Sequence, residues 1–137
     1  MSDTQIFMHS LPITVTDIDA AVTFYRDALG LTVTNDVPAG DHRWLTMAFD
    51  PKAGPNIVLS DPGAGRSEED GEELARLLAK GTGPGPYIFA ASDLDAAFAR
   101  ARDAGAEVIQ EPADQPWGPR DFALLDPAGN VIRVQAR

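Results

Sequence analysis

The sequence predicts an α+β domain built from two tandem β-α-β-β-β modules. Three observations predict it: an internal duplication, one amphipathic helix in each half, and short β-branched or aromatic segments separated by glycine- and proline-rich turns. Asp17-Ile18-Asp19-Ala20-Ala21-Val22 recurs as Asp93-Leu94-Asp95-Ala96-Ala97-Phe98, and Arg26-Asp27-Ala28 recurs as Arg102-Asp103-Ala104. Across 17–28 and 93–104, seven of twelve positions are identical at a constant offset of 76. Two copies of one supersecondary unit explain that density better than chance, and the length leaves no room for a third.

The first module opens on Ser10 to Thr16, whose β-branched Ile13, Thr14, Val15 and Thr16 favour a strand. Asp17 follows as a helix N-cap, a carboxylate able to accept a first-turn N–H. Asp19 then places negative charge where the helix dipole favours it. Ile18, Ala21, Val22, Tyr25 and Leu29 recur at three- and four-residue spacing, the mark of a helix burying one face. Phe24 and Tyr25 on that helix are expected in the core. Gly30 stops it, since glycine takes the left-handed C′ conformation without a Cβ penalty. Three strand-like pieces follow, Leu31–Thr34, Trp44–Phe49 and Asn56–Ser60, with Pro38-Ala39-Gly40 and Pro51-Lys52-Ala53-Gly54-Pro55 as separators.

A connector over about 62–85 carries a helical pattern at Ser67–Lys80, with Leu74, Leu77 and Leu78 on one side. Ser67 followed by Asp70 resembles a capping box. The segment reads as a surface connector or as a flap over a ligand pocket. Glu68-Glu69-Asp70 and Glu72-Glu73 read as a solvated helix face. The second module repeats the order: Tyr87 to Ala91, the Asp93-capped helix, Gly105, then Glu107–Gln110, Asp121–Leu125 and Val131–Gln135. Its last two strands are joined by Asp126-Pro127-Ala128-Gly129-Asn130, which has the turn chemistry of a hairpin. One domain is therefore expected over 1–137, with module 1 at about 8–61 and module 2 at about 86–137.

Composition narrows the partners. The 137 residues carry 11 Lys and Arg against 21 Asp and Glu, a formal charge of −10. Nucleic acid is not expected as a partner, because binding a phosphate backbone relies on basic neutralisation; approach of cationic ligands is favoured. No apolar run approaches the roughly 20 residues that cross a bilayer, and MSDTQIFMHS lacks a basic-apolar signal pattern, so no membrane partner is expected. The absence of cysteine removes thiolate chemistry and cysteine-based zinc sites. It is compatible with a reducing cytoplasm, the expected location.

Val15-Thr16-Asp17-Ile18-Asp19-Ala20-Ala21-Val22-Thr23-Phe24-Tyr25-Arg26-Asp27-Ala28-Leu29-Gly30-Leu31 resembles the opening V-x-D-x-x-x-A-x-x-F-Y-x-x-x-L-G of the vicinal oxygen chelate superfamily. That superfamily includes glyoxalases, bleomycin-resistance proteins and extradiol dioxygenases. Trp117-Gly118-Pro119-Arg120-Asp121-Phe122, with Asp126-Pro127-Ala128-Gly129-Asn130-Val131-Ile132, resembles its W-G-x-R-x-F…D-P-x-G-N-x-I pattern, closest to the bleomycin-resistance subgroup. The resemblance covers Ser10 to Val134. It implies a cup-shaped mixed sheet with helices outside, the glyoxalase/bleomycin-resistance fold, with the cup as ligand site. It also implies a homodimer in which paired modules complete two cups.

Metal-dependent members hold a divalent ion with His or Glu at one position on the first and last strand of each module. The resemblance puts these positions on Ser10, Val58, Pro86 and Arg133. Proline and valine carry no donor, serine is a poor neutral ligand, and arginine keeps its proton. Such ions need carboxylate or imidazole donors, so no metal cofactor is expected; a divalent ion is the alternative. His9, adjacent to Ser10, should face away from the cup because strands alternate faces.

The expected ligand-binding set is Ser10, Trp44, Val58, Tyr87, Trp117, Phe122 and Arg133. Arg133 offers guanidinium donors to an anionic ligand, or pairs with a neighbouring acid at the rim. The aromatic residues, Phe49 among them, would wall the cup or fill the core; Trp117 is placed in a glycine- and proline-rich loop. His42 is the weak candidate for a general base, its other reading being an exposed histidine after a Gly-Asp turn. The function expected is a metal-free small-molecule-binding protein that sequesters an aromatic or cationic antibiotic-like ligand. The alternatives are a lyase, isomerase or oxygenase, metal-dependent or using His42 or Arg133, and a module whose cup is filled by side chains.

Overall fold

The computed structural model describes residues 4–50 and 55–137; the separator expected at Pro51 to Gly54 lies outside the described residues. Eight strands and three helices follow in the order β1 (Ser10–Thr14), α1 (Ile18–Asp27), β2 (Thr32–Ala39), β3 (His42–Ala48), β4 (Asn56–Ser60), α2 (Glu68–Ala79), β5 (Tyr87–Ala91), α3 (Leu94–Asp103), β6 (Glu107–Gln115), β7 (Gly118–Leu125) and β8 (Val131–Ala136). Asp17 and Asp93 cap their helices alike, each accepting a 3.0 Å bond from the N–H three residues on, at Ala20 and Ala96. Ser67 does the same for α2 through the Asp70 N–H.

The duplication carries through to topology. The strands form two separate four-stranded mixed sheets, ordered β1-β4-β3-β2 and β5-β8-β7-β6. In each, the first strand runs parallel to the last and the other pairings are antiparallel. The parallel pair needs a crossover, supplied by the capped helix; the rest of the module returns as a meander.

Both modules carry longer hairpins than the sequence suggests. β2 continues through Pro38 and Ala39, which read as a separator, and turns on Gly40 and Asp41 so that Ala39 pairs with His42. Proline is tolerated there because β2 is an edge strand, where its missing N–H deprives no neighbour. β6 likewise runs to Gln115 and pairs it with Gly118, leaving Pro116 and Trp117 as a two-residue tip. Trp117 is thus a hairpin-tip residue, not part of a broad loop.

One core joins the modules. Ile13, Tyr25, Leu45, Met47 and Leu59 of the first pack in a single cluster with Leu94, Phe122, Leu124, Ile132 and Val134 of the second. A buried polar knot adds direction to that contact. The Tyr25 hydroxyl donates to Asp126 Oδ2 at 2.7 Å, and Asn130 Nδ2 donates both to Asp126 Oδ2 and to the Thr14 carbonyl at 2.9 Å. Asp126 Oδ1 accepts from the N–H groups of Ala128 and Asn130. The β7–β8 turn is therefore organised by the carboxylate that receives module 1. Burial, reinforced by the Asp126 charge, pushes the Tyr25 phenol well above its ordinary pKa.

α2 is anchored at both ends. Near its start Gly71 packs on Pro62 and Gly63; near its end Leu78 is fully buried. A Cβ at Gly129, where φ is +100°, would lie 2.1 Å from the Leu78 carbonyl oxygen, so only glycine permits this approach.

Candidate functional site

Register assigns each candidate side chain to a face. Pro12 pairs with Val58, and Thr46 with Val58, so Ser10, Pro12, Trp44, Thr46 and Val58 share one face of the first sheet. Leu45, Met47, Ile57 and Leu59 occupy the other, which is the core. In the second sheet Arg133 pairs with Ile88 and with Ala123, and these residues share a face with Asp121 and Gln135. Pro86 immediately precedes β5. Ser10, Val58 and Arg133 thus all lie on faces turned away from the core.

Tyr87 and Phe122 do not; they lie on the core face of the second sheet. Phe122 pairs with Val134 on the core face, is fully buried and meets Phe98 of α3 edge-on at 5.3 Å. Tyr87 pairs with Ile132 and packs against the same cluster. The physical reason is strand parity: both residues are one position out of phase with the face that carries Arg133. Val58 has the right face but is only 2% exposed. Trp44 and Trp117 remain exposed, at 41% and 73%.

Arg133 stands in a polar lattice. Its Nη1 donates to Asp121 Oδ2 at 2.8 Å and to Gln110 Oε1 at 3.0 Å. Gln110 and Gln115 both donate to Asp121 Oδ1, and Gln115 also donates to Gln110. Burial raises the Asp121 carboxyl, but the bonds from Gln110, Gln115 and Arg133 outweigh it and hold it below the ordinary range. The guanidinium is therefore charge-compensated and fixed in orientation. Its Nε and Nη2 donors lie outside these bonds. Of the two readings of Arg133, the structure shows the pairing with a neighbouring acid.

The residues at the metal-holding positions do not fit a divalent ion. Ser10 brings a hydroxyl already engaged with His9 Nδ1 at 2.6 Å, Val58 methyl groups, Pro86 a hydrocarbon ring and Arg133 a cation. The carboxylate beside Arg133, that of Asp121, is taken up by Arg133 and two amides. Among the described residues no three His, Asp or Glu side chains converge on a common point.

His42 does not belong to this lattice. At the start of β3 its Nδ1 lies 2.8 Å from Asp61 Oδ1, while Asp61 Oδ2 accepts the Gly63 N–H. His42 borders a hollow beneath α2 with Arg66, Glu68 and Glu72. Sequence reasoning missed Asp61, Asp121, Gln110 and Gln115. Asp121 had a readable signal: counting back across the β7–β8 turn places it diagonally beside Arg133.

Comparison with known proteins follows this geometry. Residues 7–134 match the family model described as Glyoxalase/Bleomycin resistance protein/Dioxygenase superfamily. The crystal structure of UcmS2 superposes with a TM-score of 0.85 at 30% identity, covering 96% of this chain and 98% of that one. That of TnmS3, an antibiotic binding protein from Streptomyces sp. CB03234, superposes with a TM-score of 0.72 at 27% identity, covering 98% of each chain. A Mycobacterium tuberculosis protein provisionally named glyoxylase CFP32 is 31% identical over 117 residues; the match spans 85% of this chain but 38% of that protein's length.

Proposed function

The chain belongs to the glyoxalase/bleomycin resistance protein/dioxygenase superfamily, and on that premise we propose that it is a small-molecule-binding member that works without a catalytic metal. The observation that carries this reading is the donor set at Ser10, Val58, Pro86 and Arg133.

The ligand proposed is an aromatic, neutral or cationic antibiotic-like molecule. The similarity to TnmS3, named as an antibiotic binding protein, supports the class. A charge of −10 draws cations towards the protein. Arg133 does not cancel that attraction, because Asp121 compensates it at 2.8 Å. Trp44 supplies an exposed aromatic surface on the face shared with Ser10, and Trp117 supplies one at a hairpin tip.

The reading includes a homodimer. β1 and β5 lie at sheet edges, each hydrogen-bonded on one side. Ile6, Phe7, Met8 and Ile88 are exposed close by in the chain. An open apolar edge is a liability that a second copy removes by pairing.

Tryptophan emission tests the proposal, on protein whose mass in solution is first measured by light scattering. Twice the chain mass is expected. A cationic aromatic antibiotic should quench emission saturably, and Trp44→Phe or Trp117→Phe should remove part of the response. A panel of such molecules that changes neither emission nor melting temperature would contradict the reading, since a ligand of the native state raises apparent stability.

A further inference from the structure

Where the C-terminus of α1 meets α3, residues of both modules line an open cleft of about 410 Å³. That is within the range of roughly 300–1,000 Å³ typical of small-molecule sites. Phe49, Phe89, Phe122 and Val134 form its apolar wall, and Ala96 and Ala97 give it room because they carry only methyl groups. Phe49 and Phe89 meet at 5.3 Å and also border a second hollow of about 300 Å³, so their rings form the partition between the two. Phe89, Phe122 and Val134 point to the core face of the second sheet. The cavity is therefore on the opposite side from Ile88, Ala123 and Arg133, and a molecule held here does not occupy the site proposed above.

One charged group stands out at the polar end. Arg100 lies one turn after Ala96 and Ala97 and borders the cavity. Its Nε donates to the Asp27 carbonyl at 3.1 Å and its Nη2 to the Arg26 carbonyl at 3.3 Å. Both acceptors are neutral main-chain groups, and Arg100 makes no carboxylate ion pair among the described residues. Asp103 and Asp95, the acids nearest it in sequence, lie beside Arg102 and Arg120 at 4.0 and 3.7 Å. Asp27 is held by Arg26 at 2.8 Å, and Asp93, which also borders the cavity, accepts the Ala96 N–H. Gly30 makes the placement possible: a Cβ there would lie 2.9 Å from Arg100 Nη1. Nη1 takes no part in the two carbonyl bonds.

We propose that this inter-module cavity is a second binding site, for a small carboxylate with an aromatic or branched apolar body. The body lies among Phe49, Phe89 and Phe122, and the carboxylate accepts from Arg100 Nη1. Charge-assisted donation to a carboxylate is the strong form of hydrogen bond, and Arg100 is held in place by the carbonyls before any ligand arrives.

The test uses 3-phenylpropanoate, its amide 3-phenylpropanamide, and 2-phenylethylamine as probes of one shape and three charges. Each is titrated into the full chain while methyl resonances are followed by NMR. 3-Phenylpropanoate should perturb Leu29, Ala96, Ala97 and Val134 and leave Ile88 unmoved. Arg100→Gln should weaken it by about tenfold, the scale of one charge-assisted hydrogen bond, and leave the amide unchanged. Ala97→Leu, which intrudes on the cavity, should remove both, and Arg133→Gln should affect neither. Binding that shifts Ile88 instead, equal losses for acid and amide in Arg100→Gln, preference for the amine, or no perturbation at millimolar probe would each overturn the proposal. The shift map of the unaltered protein needs no variant, so a folding defect in Arg100→Gln does not shield the idea. Failure here leaves the antibiotic reading standing, because the two sites lie on opposite faces.

Discussion

Arg133 shows what a single residue can and cannot reveal from sequence. Its place on the last strand was legible by counting through that strand from the Asp126–Asn130 turn. Its chemistry was not, because the meaning of a guanidinium depends on Asp121, Gln110 and Gln115, brought together by pairing. The face on which Tyr87 and Phe122 lie was not legible for a related reason: aromatic character says nothing about which side of a strand faces the core. The lattice makes a prediction about pH. Asp121 titrates lower in the folded chain than the ordinary value of 3.8, so its ionisation stabilises the fold above that value. The contribution is lost as pH falls below 3.8 and through the lower folded pKa. Asp121→Asn should cost about 1–2 kcal/mol at neutral pH, a partly exposed pair being worth less than a fully buried one. In urea denaturation the gap between variant and parent should close as pH drops below 3.8. A gap independent of pH would show that Asp121 matters for packing, not for charge.

At the scale of elements, the two capped helices were the most readable parts, because an N-cap, a first-turn acid and a terminal glycine are local signals. The hairpins were less so. Pro38 and Ala39 look like a break in isolation and become strand only because β2 is an edge. α2 was readable as a helix, but its anchoring was not, since that rests on a backbone approach between Leu78 and Gly129 across the chain. Gly129→Ala should therefore destabilise by about 1–3 kcal/mol or more, combining a left-handed φ with a main-chain collision. Chemical denaturation should show a lower midpoint with an unchanged slope. A change within about 0.5 kcal/mol, the range of a neutral surface substitution, would mean that α2 is not docked against this turn.

For the whole molecule, the duplication made the architecture legible: two copies of one module imply one topology twice, and both sheets have the same strand order. The single core uniting them was not legible, nor was the Tyr25–Asp126–Asn130 knot, because contacts 101 and 116 residues apart leave no mark in a local pattern. The proposed function rests on what those two sheets present on their outward faces. The most direct measurement is metal content and affinity, by elemental analysis of purified protein and by titration with zinc, nickel, manganese and ferrous ions. The account predicts no stoichiometric ion after purification, and no saturable site that survives His9→Ala. One tightly held equivalent per chain, retained in His9→Ala and lost when Ser10 or Arg133 is replaced, would contradict it.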